Sequence, residues 1–137
     1  GSTTSQILKD YEEGTWTADL DGTTGDPNSP VQDVAARYTK IGNVVYYSFK
    51  FHNYDATGAT GSTRISGLPF TTNNVYATKG IFGSHSLTLT GDHQWLELPT
   101  NNTIIYLFNV ASGGAWAYEA IDATAGNYFV GQGWYTV

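Results

Sequence analysis

Four adjacent residues, Asp92, His93, Gln94 and Trp95, combine side chains that proteins use to bind sugars. An indole ring can stack on the C–H face of a sugar, while carboxylate, imidazole and amide groups hydrogen-bond to its hydroxyls. The glycine before Asp92 predicts a turn, which would carry these side chains on the surface where recognition is usually placed. This segment is therefore a candidate glycan-binding site, and burial of Trp95 in the core is the alternative.

Other aromatic residues could bind a sugar in the same way. Trp116 and Tyr118 share one face if their segment, 115–121, is a strand rather than a short helix, and they would then serve binding, core packing or a subunit interface. Tyr54 lies at the start of a predicted flexible loop, either as a binding residue or as an ordinary loop residue. Trp134 and Tyr135 point to opposite faces of the last predicted strand, so one of them should face outward or towards a neighbouring subunit.

Metal binding is not predicted. The acidic turn at 19–28, DLDGTTGDPN, offers oxygen ligands, but it lacks the regular ligand spacing and the terminal glutamate of an EF-hand, so a solvated turn is the preferred interpretation. The histidines, at positions 52, 85 and 93, lack the short spacing of zinc ligands. No cofactor is predicted either.

Catalysis is the least favoured class of function. Glycoside hydrolysis needs two carboxyl groups roughly 5 to 10 Å apart across a cleft. Glu97 and Glu119, with Asp92 or Asp122, could form such a pair, but nothing in the sequence brings them together. No nucleophile elbow, phosphate loop or Ser-His-Asp signature is present. We predict that the chain is not an enzyme and retain a polysaccharide depolymerase as a remote alternative.

Composition favours one all-β domain. The 137 residues are 40% hydrophobic, 15% aromatic and only 13% charged, with 16 glycines, which suits pleated, half-buried strands and frequent turns. A net charge of −6 with scattered cations disfavours nucleic acid as a partner. No apolar run is long enough to predict membrane insertion, and the lack of cysteine excludes disulfides and thiolate sites.

The pattern of apolar residues predicts eight to ten short strands arranged as a sandwich or barrel. The segment 12–14 is expected to end the N-terminal linker and not to belong to a strand. The segment 103–110 is predicted to be a central strand covered on both faces. A glycine-containing bulge is predicted in the last strand. The predicted strands are 15–20, 37–41 and 44–51 joined by a tight turn at Gly42-Asn43, then 63–65, 81–90, 94–98, 103–110 and 127–137.

Four segments resemble a C-terminal module of bacteriophage tail fibre and tailspike proteins. They are YEEGTWT (11–17), RYTKIGNVVYYSFKF (37–51), STRISGLPF (62–70) and WYTV (134–137), and they occur in the order of that module. The resemblance implies a jelly-roll β-sandwich that forms a homotrimer at the end of a fibre, where the virion contacts the cell surface. Since these segments look like scaffold, we expect the binding residues mainly in 76–127.

Gly1-Ser2 is typical of the remnant of a cleaved tag, and the polar segment 3–10 of a linker or stalk, which leaves residues 11–137 as a single β-sandwich domain. The resemblance implies a function. The favoured function is a receptor-binding head that binds a host cell-surface polysaccharide and continues from an upstream fibre shaft. The alternative is a structural module that trimerises and caps the fibre without binding a ligand. Either would be located in the virion and act outside the cell.

Overall fold

The computed structural model describes residues 10–137, and these form an all-β fold, as predicted. Within them no helix is long and apolar enough to cross a membrane. The tag and linker predicted for 1–10 lie almost wholly outside the described residues. The strands are β1 (Tyr11–Thr15), β2 (Asp19–Gly22), β3 (Val34–Ile41), β4 (Val44–Asp55), β5 (Thr63–Ser66), β6 (Thr78–His85), β7 (His93–Leu98), β8 (Ile104–Val110), β9 (Trp116–Tyr118) and β10 (Ala125–Thr136).

All ten strands belong to one antiparallel sheet that curls around a single core. Its order is β1-β3-β4-β10-β6-β7-β8-β5-β2, with β9 paired to β8. β1 and β2 are the first and last strands in this order, although only residues 16–18 separate them in the chain. The sheet therefore bends into a half-barrel, which gives the sandwich-like arrangement expected from the sequence.

Trp16 holds the two ends of the sheet together. Its ring packs edge to face on Phe49 with centroids 6.5 Å apart. Its Nε1 donates a hydrogen bond of 3.2 Å to the carbonyl of Arg37 on β3. Because Trp16 is buried and lies between β1 and β2, these contacts fix the segment that crosses the open side of the half-barrel.

The core is built from alternate residues of the long strands. Phe49 and Phe129 meet edge to face at 5.3 Å, and Phe51 packs on both of them. Successive side chains of a strand point to opposite faces, so a strand with one buried face alternates large apolar and exposed residues. The core side chains that are at most 2% exposed are Leu20, Val45, Phe49, Phe51, Ala56, Ile65, Leu96, Leu98, Ile105, Leu107, Phe129 and Tyr135.

The central hairpin was predicted correctly. β3 and β4 pair over their whole facing length, from Ile41 opposite Val44 to Val34 opposite Phe51. Gly42 closes the turn at a φ of 59°, a backbone conformation that suits glycine because it has no Cβ. This hairpin supplies two of the four strands beneath the candidate site described below.

The first predicted strand was wrong in position. Residues 12–14 were expected to lie outside any strand, but they belong to β1, which pairs with β3 from Tyr11 opposite Ile41. The segment 16–18, which was assigned to the strand, instead links β1 to β2. Gly14 is tolerated in β1 because the ring of Tyr38 on the neighbouring strand packs against it, at 2.9 Å from the position of an added Cβ.

Three later expectations also change. β6 ends at His85, not at residue 90, and Ser86 follows with a φ of 66°, which turns the chain out of the sheet. β8 was expected to be covered on both faces, but only Ile105 and Leu107 are buried and the alternate side chains are half-buried. The ambiguous segment 115–121 contains a strand, β9.

A bulge is present in β10, but not at a glycine of the predicted strand 127–137, since Gly131 and Gly133 pair in regular register. Register shifts occur between Ala125 and Phe129, beside Gly126 at a φ of 85°. After the bulge, β10 pairs with β4 and β6 in regular register as far as Gly133. This register determines which β10 side chains face away from the core.

Candidate functional site

Two exposed aromatic residues lie on neighbouring strands on the outer face of the sheet, the side turned away from the core. Trp134 on β10 is directly opposite Tyr46 on β4. Trp134 is 47% exposed and Tyr46 is 51% exposed, whereas their neighbours Tyr135 and Tyr47 are buried. Paired strands bring directly opposite Cβ atoms within about 4.5 to 5.5 Å, so the two aromatic side chains start from adjacent positions on this face.

These rings border a groove of about 550 Å³ over β3, β4, β10 and β6. Its lining mixes the aromatic pair with charged, amide and hydroxyl groups, a combination suited to a ligand with both C–H faces and hydroxyls. The outer-face residues that line this groove, which we call the β4–β10 groove, are Arg37, Thr39, Tyr46, Ser48, Lys79, Ile81, Gln132 and Trp134.

The β4–β10 groove continues towards the segment singled out in the sequence. Lys79 and Ile81 also border a second groove of about 450 Å³, together with His93, Gln94 and Trp95. The two grooves therefore adjoin each other along β6. Together they form an extended track on the outer face rather than a closed pocket.

A row of stacked rings crosses β7, β8 and β9 beyond this track. Trp95 stacks on His93 at 5.5 Å and on Phe108 at 5.8 Å, with interplanar angles of 26° and 15°. Phe108 in turn contacts Tyr118 at 4.5 Å. We call these four residues the aromatic ladder. Its register follows from strand pairing, since Trp95 and Tyr118 both lie opposite Phe108.

Glu97 connects the aromatic ladder to the β4–β10 groove. Its Oε2 accepts a hydrogen bond of 2.9 Å from the indole Nε1 of Trp95. The same oxygen accepts a hydrogen bond from Nζ of Lys79, which lies opposite Glu97 on β6. One carboxylate thus orients both the indole at one end of the track and the ammonium group in the groove.

In the predicted segment 92–95, two polar side chains hold loops and two rings belong to the aromatic ladder. The Asp92 carboxylate accepts a hydrogen bond of 2.6 Å from the backbone N–H of Ser112, and Gln94 Nε2 donates to the carbonyl of Thr90 at 2.6 Å. Those polar groups are occupied in holding the surrounding loops. Trp95 is half-buried in the aromatic ladder, whereas the ring of His93 is exposed.

Tyr54 was assigned wrongly to a flexible loop. It belongs to β4, it is 3% exposed, and its ring packs on Phe51 at 6.1 Å. Burial raises the pKa of its phenol well above the ordinary value. A side chain in this position stabilises the core and cannot contact a ligand at the surface.

The other predicted aromatic residues are exposed. Trp116 and Tyr118 share the outer face because β9 is a strand, and Trp116 is 69% exposed. They line a small groove of about 300 Å³ with Phe108 and Glu97. The prediction that either Trp134 or Tyr135 would face outward is confirmed, since Tyr135 is fully buried and Trp134 is not.

Glu97 and Glu119, two of the carboxyl groups considered for catalysis, lie on opposite faces of the sheet. Glu97 lies on the outer face, whereas Glu119 is 1% exposed and accepts hydrogen bonds from Thr90 and Asn109 on the core side. Burial raises the pKa of Asp122, but hydrogen bonds donated by Thr88 and Thr124 outweigh it and hold the pKa below its ordinary value. Both Glu119 and Asp122 therefore act as acceptors that fix loops.

Sequence reasoning missed most of the β4–β10 groove. Tyr46 and Ser48 could be placed on the exposed face of their strand from the alternation of the sequence, but nothing in that pattern showed that β10 pairs with β4. The groove depends on this pairing, because it sets Trp134 opposite Tyr46 and Gln132 opposite Ser48. No protein-family model matches this chain, and a search of curated proteins found no match.

Proposed function

We propose that this chain is the C-terminal head domain of a bacteriophage tail fibre or tailspike and that its outer face binds a host cell-surface glycan. The proposal joins the resemblance of four sequence segments to the chemistry of the β4–β10 groove. The upstream fibre shaft and the host polysaccharide are its partners. The virion is its location.

The opposed pair Trp134 and Tyr46 is the observation that carries the glycan-binding proposal. Two half-exposed rings on neighbouring strands cost free energy in water, and a ligand with apolar C–H faces would cover them. Ser48 and Gln132, which are also opposite each other, provide hydroxyl and amide groups beside the rings. This arrangement suits a saccharide better than a purely apolar ligand.

The length of the track supports a polymer as the ligand. The β4–β10 groove and the second groove adjoin at Lys79 and Ile81, and both are open to solvent along the outer face. An open track can bind an internal stretch of a long chain, whereas a closed pocket selects a small molecule or a chain end. A bacterial surface polysaccharide fits an open track.

A glycan array with matched aromatic variants tests this function. Wild-type protein is expected to bind at least one bacterial surface polysaccharide, and Trp134→Ala or Tyr46→Ala should each weaken that binding about 10-fold or more, as for a central aromatic contact. Tyr76→Ala is the control, because Tyr76 is 49% exposed, close to the 51% of Tyr46, but lies outside the grooves.

The results separate the groove from the rest of the surface. Equal loss in all three variants would point to a general effect of removing surface aromatics. Unchanged binding in Trp134→Ala and Tyr46→Ala would remove the β4–β10 groove from the site. If the wild-type protein bound no glycan on the array, the result would contradict glycan binding and favour the structural alternative.

The structural alternative, a module that trimerises and caps the fibre, is favoured by the exposed face of β9. Trp116 and Tyr118 expose large aromatic surfaces there, and within residues 10–137 the strand β9 pairs only with β8. Exposed apolar patches of this kind commonly mark protein interfaces, and a closed threefold assembly would cover one in every subunit. Trimerisation is compatible with glycan binding in the β4–β10 groove.

Light scattering tests the trimer. At micromolar concentration the protein should have three times the mass of one chain, and Trp116→Ala combined with Tyr118→Ala should shift it towards the monomer because both rings would lose their cover. A monomer mass for the wild-type protein would contradict the trimer. Retention of the trimer in the double variant would place the interface elsewhere.

A further inference from the structure

The charge of the β4–β10 groove is opposite to that of the whole chain. The protein has 12 acidic and six basic residues. Yet the groove lining includes Arg37 and Lys79 and no aspartate or glutamate. Because acidic residues are twice as numerous in the whole chain, the positive charge of this lining is a local feature that needs its own explanation.

Of the two cations in this groove, Arg37 is the one without a carboxylate partner among the described residues. Lys79 pairs with Glu97, and elsewhere Arg64 Nη2 lies 3.7 Å from Asp21 Oδ2. Among residues 10–137, Arg37 forms no ion pair with a carboxylate. Its guanidinium is therefore free to bind an anion from solution.

The backbone of Arg37 is held in place although its side chain is exposed. Its carbonyl accepts the hydrogen bond from the indole of Trp16, and its strand pairs on one side with β1 and on the other with β4. Arg37 lies opposite Ser48, which in turn lies opposite Gln132. Since neighbouring strands are about 4.8 Å apart, the three side chains form a short polar row across the groove.

We infer that the β4–β10 groove binds an acidic saccharide, with the anionic group of one sugar residue held by Arg37. This inference rests on the proposed glycan-binding function and names its ligand class. The planar guanidinium offers paired N–H donors that match a carboxylate or a phosphate group. Ser48 and Gln132 lie beside it to hydrogen-bond sugar hydroxyls, and Trp134 with Tyr46 provides the stacking surface next to that row.

The test compares acidic and neutral glycans and two variants that remove the same charge. An array should carry uronate-containing, sialylated and phosphate-containing bacterial polysaccharides together with neutral ones and with carboxyl-reduced forms of the uronates. Arg37→Gln removes the proposed contact. Lys50→Gln is the matched control, because Lys50 is exposed on the same face of β4, two residues from Ser48, and does not line the groove.

The expected result is binding to acidic glycans, about 10-fold or more weakened by Arg37→Gln and unchanged by Lys50→Gln. Carboxyl reduction should abolish binding of a uronate ligand, whereas a phosphate-containing ligand would identify the other anion. Binding to neutral glycans alone, or equal effects of both variants, would overturn the inference and leave the proposed function intact. Absence of binding to every glycan would overturn both.

Discussion

Replacement of Glu119 with alanine is expected to lower the free energy of unfolding by about 2 to 4 kcal/mol, because it removes the shared acceptor of several hydrogen bonds. Glu119 Oε1 accepts from the N–H and the hydroxyl of Thr90 at 2.9 and 3.0 Å, and Oε2 accepts from Asn109 Nδ2 at 2.8 Å. The residue is 1% exposed, so little water is available to replace it as a partner. Urea denaturation of the variant and the wild-type protein measures the loss.

Glu119→Gln is the matched control for this prediction. It keeps the shape and one acceptor oxygen, so it should retain the contacts at Thr90 or at Asn109 but not both, and lose less stability than alanine. Equal stability of the wild-type protein and Glu119→Ala would show that water replaces the carboxylate without cost. Equal losses in both variants would show that the one acceptor oxygen kept by glutamine contributes nothing, which would contradict this prediction.

The parts of the fold that the sequence predicted are those set by local patterns. The hairpin of β3 and β4 follows from period-two alternation around Gly42, which needs only neighbouring residues to be recognised. The bulge in β10 was placed at the wrong glycine, because Gly131 and Gly133 lie in regular pairing and the register shifts lie beside Gly126. Tyr54 was misassigned because glycines a few residues later suggested a loop. It is buried because Asn53, at a φ of 49°, breaks the alternation of β4 and returns the next side chain to the core.

The candidate site depends mainly on pairing between distant segments, and for that reason it was only partly predicted. Trp134 was identified as a residue that could face outward, but its partner Tyr46 lies on the scaffold hairpin, where no binding residue was expected. The expected segment 92–95 is near one end of the track, yet Asp92 and Gln94 hold loops and the rings of His93 and Trp95 stack on each other. Alternation can assign a residue to a face, but it cannot show which strands adjoin.

Replacement of Gly67 with alanine is expected to lower the free energy of unfolding by about 3 to 5 kcal/mol, the sum of backbone strain and a steric clash. Gly67 has a φ of 94°, and an added Cβ would lie 2.0 Å from the carbonyl oxygen of Thr17. Thr17 belongs to the segment 16–18 that crosses between β1 and β2. Because the contact is with backbone, no side-chain rotation relieves it, and the crossing segment must move.

Gly126→Ala separates the two contributions. Gly126 has a similar φ of 85°, but nothing lies within 4 Å of an added Cβ. Its replacement should therefore cost only the backbone strain of a left-handed residue, about 1 to 2 kcal/mol. If Gly67→Ala loses no more stability in urea than Gly126→Ala, the crossing segment is not tightly held. If it loses clearly more, the close approach of Gly67 to Thr17 joins the two ends of the curled sheet, since Trp16 can pack on Phe49 only while this segment stays in place.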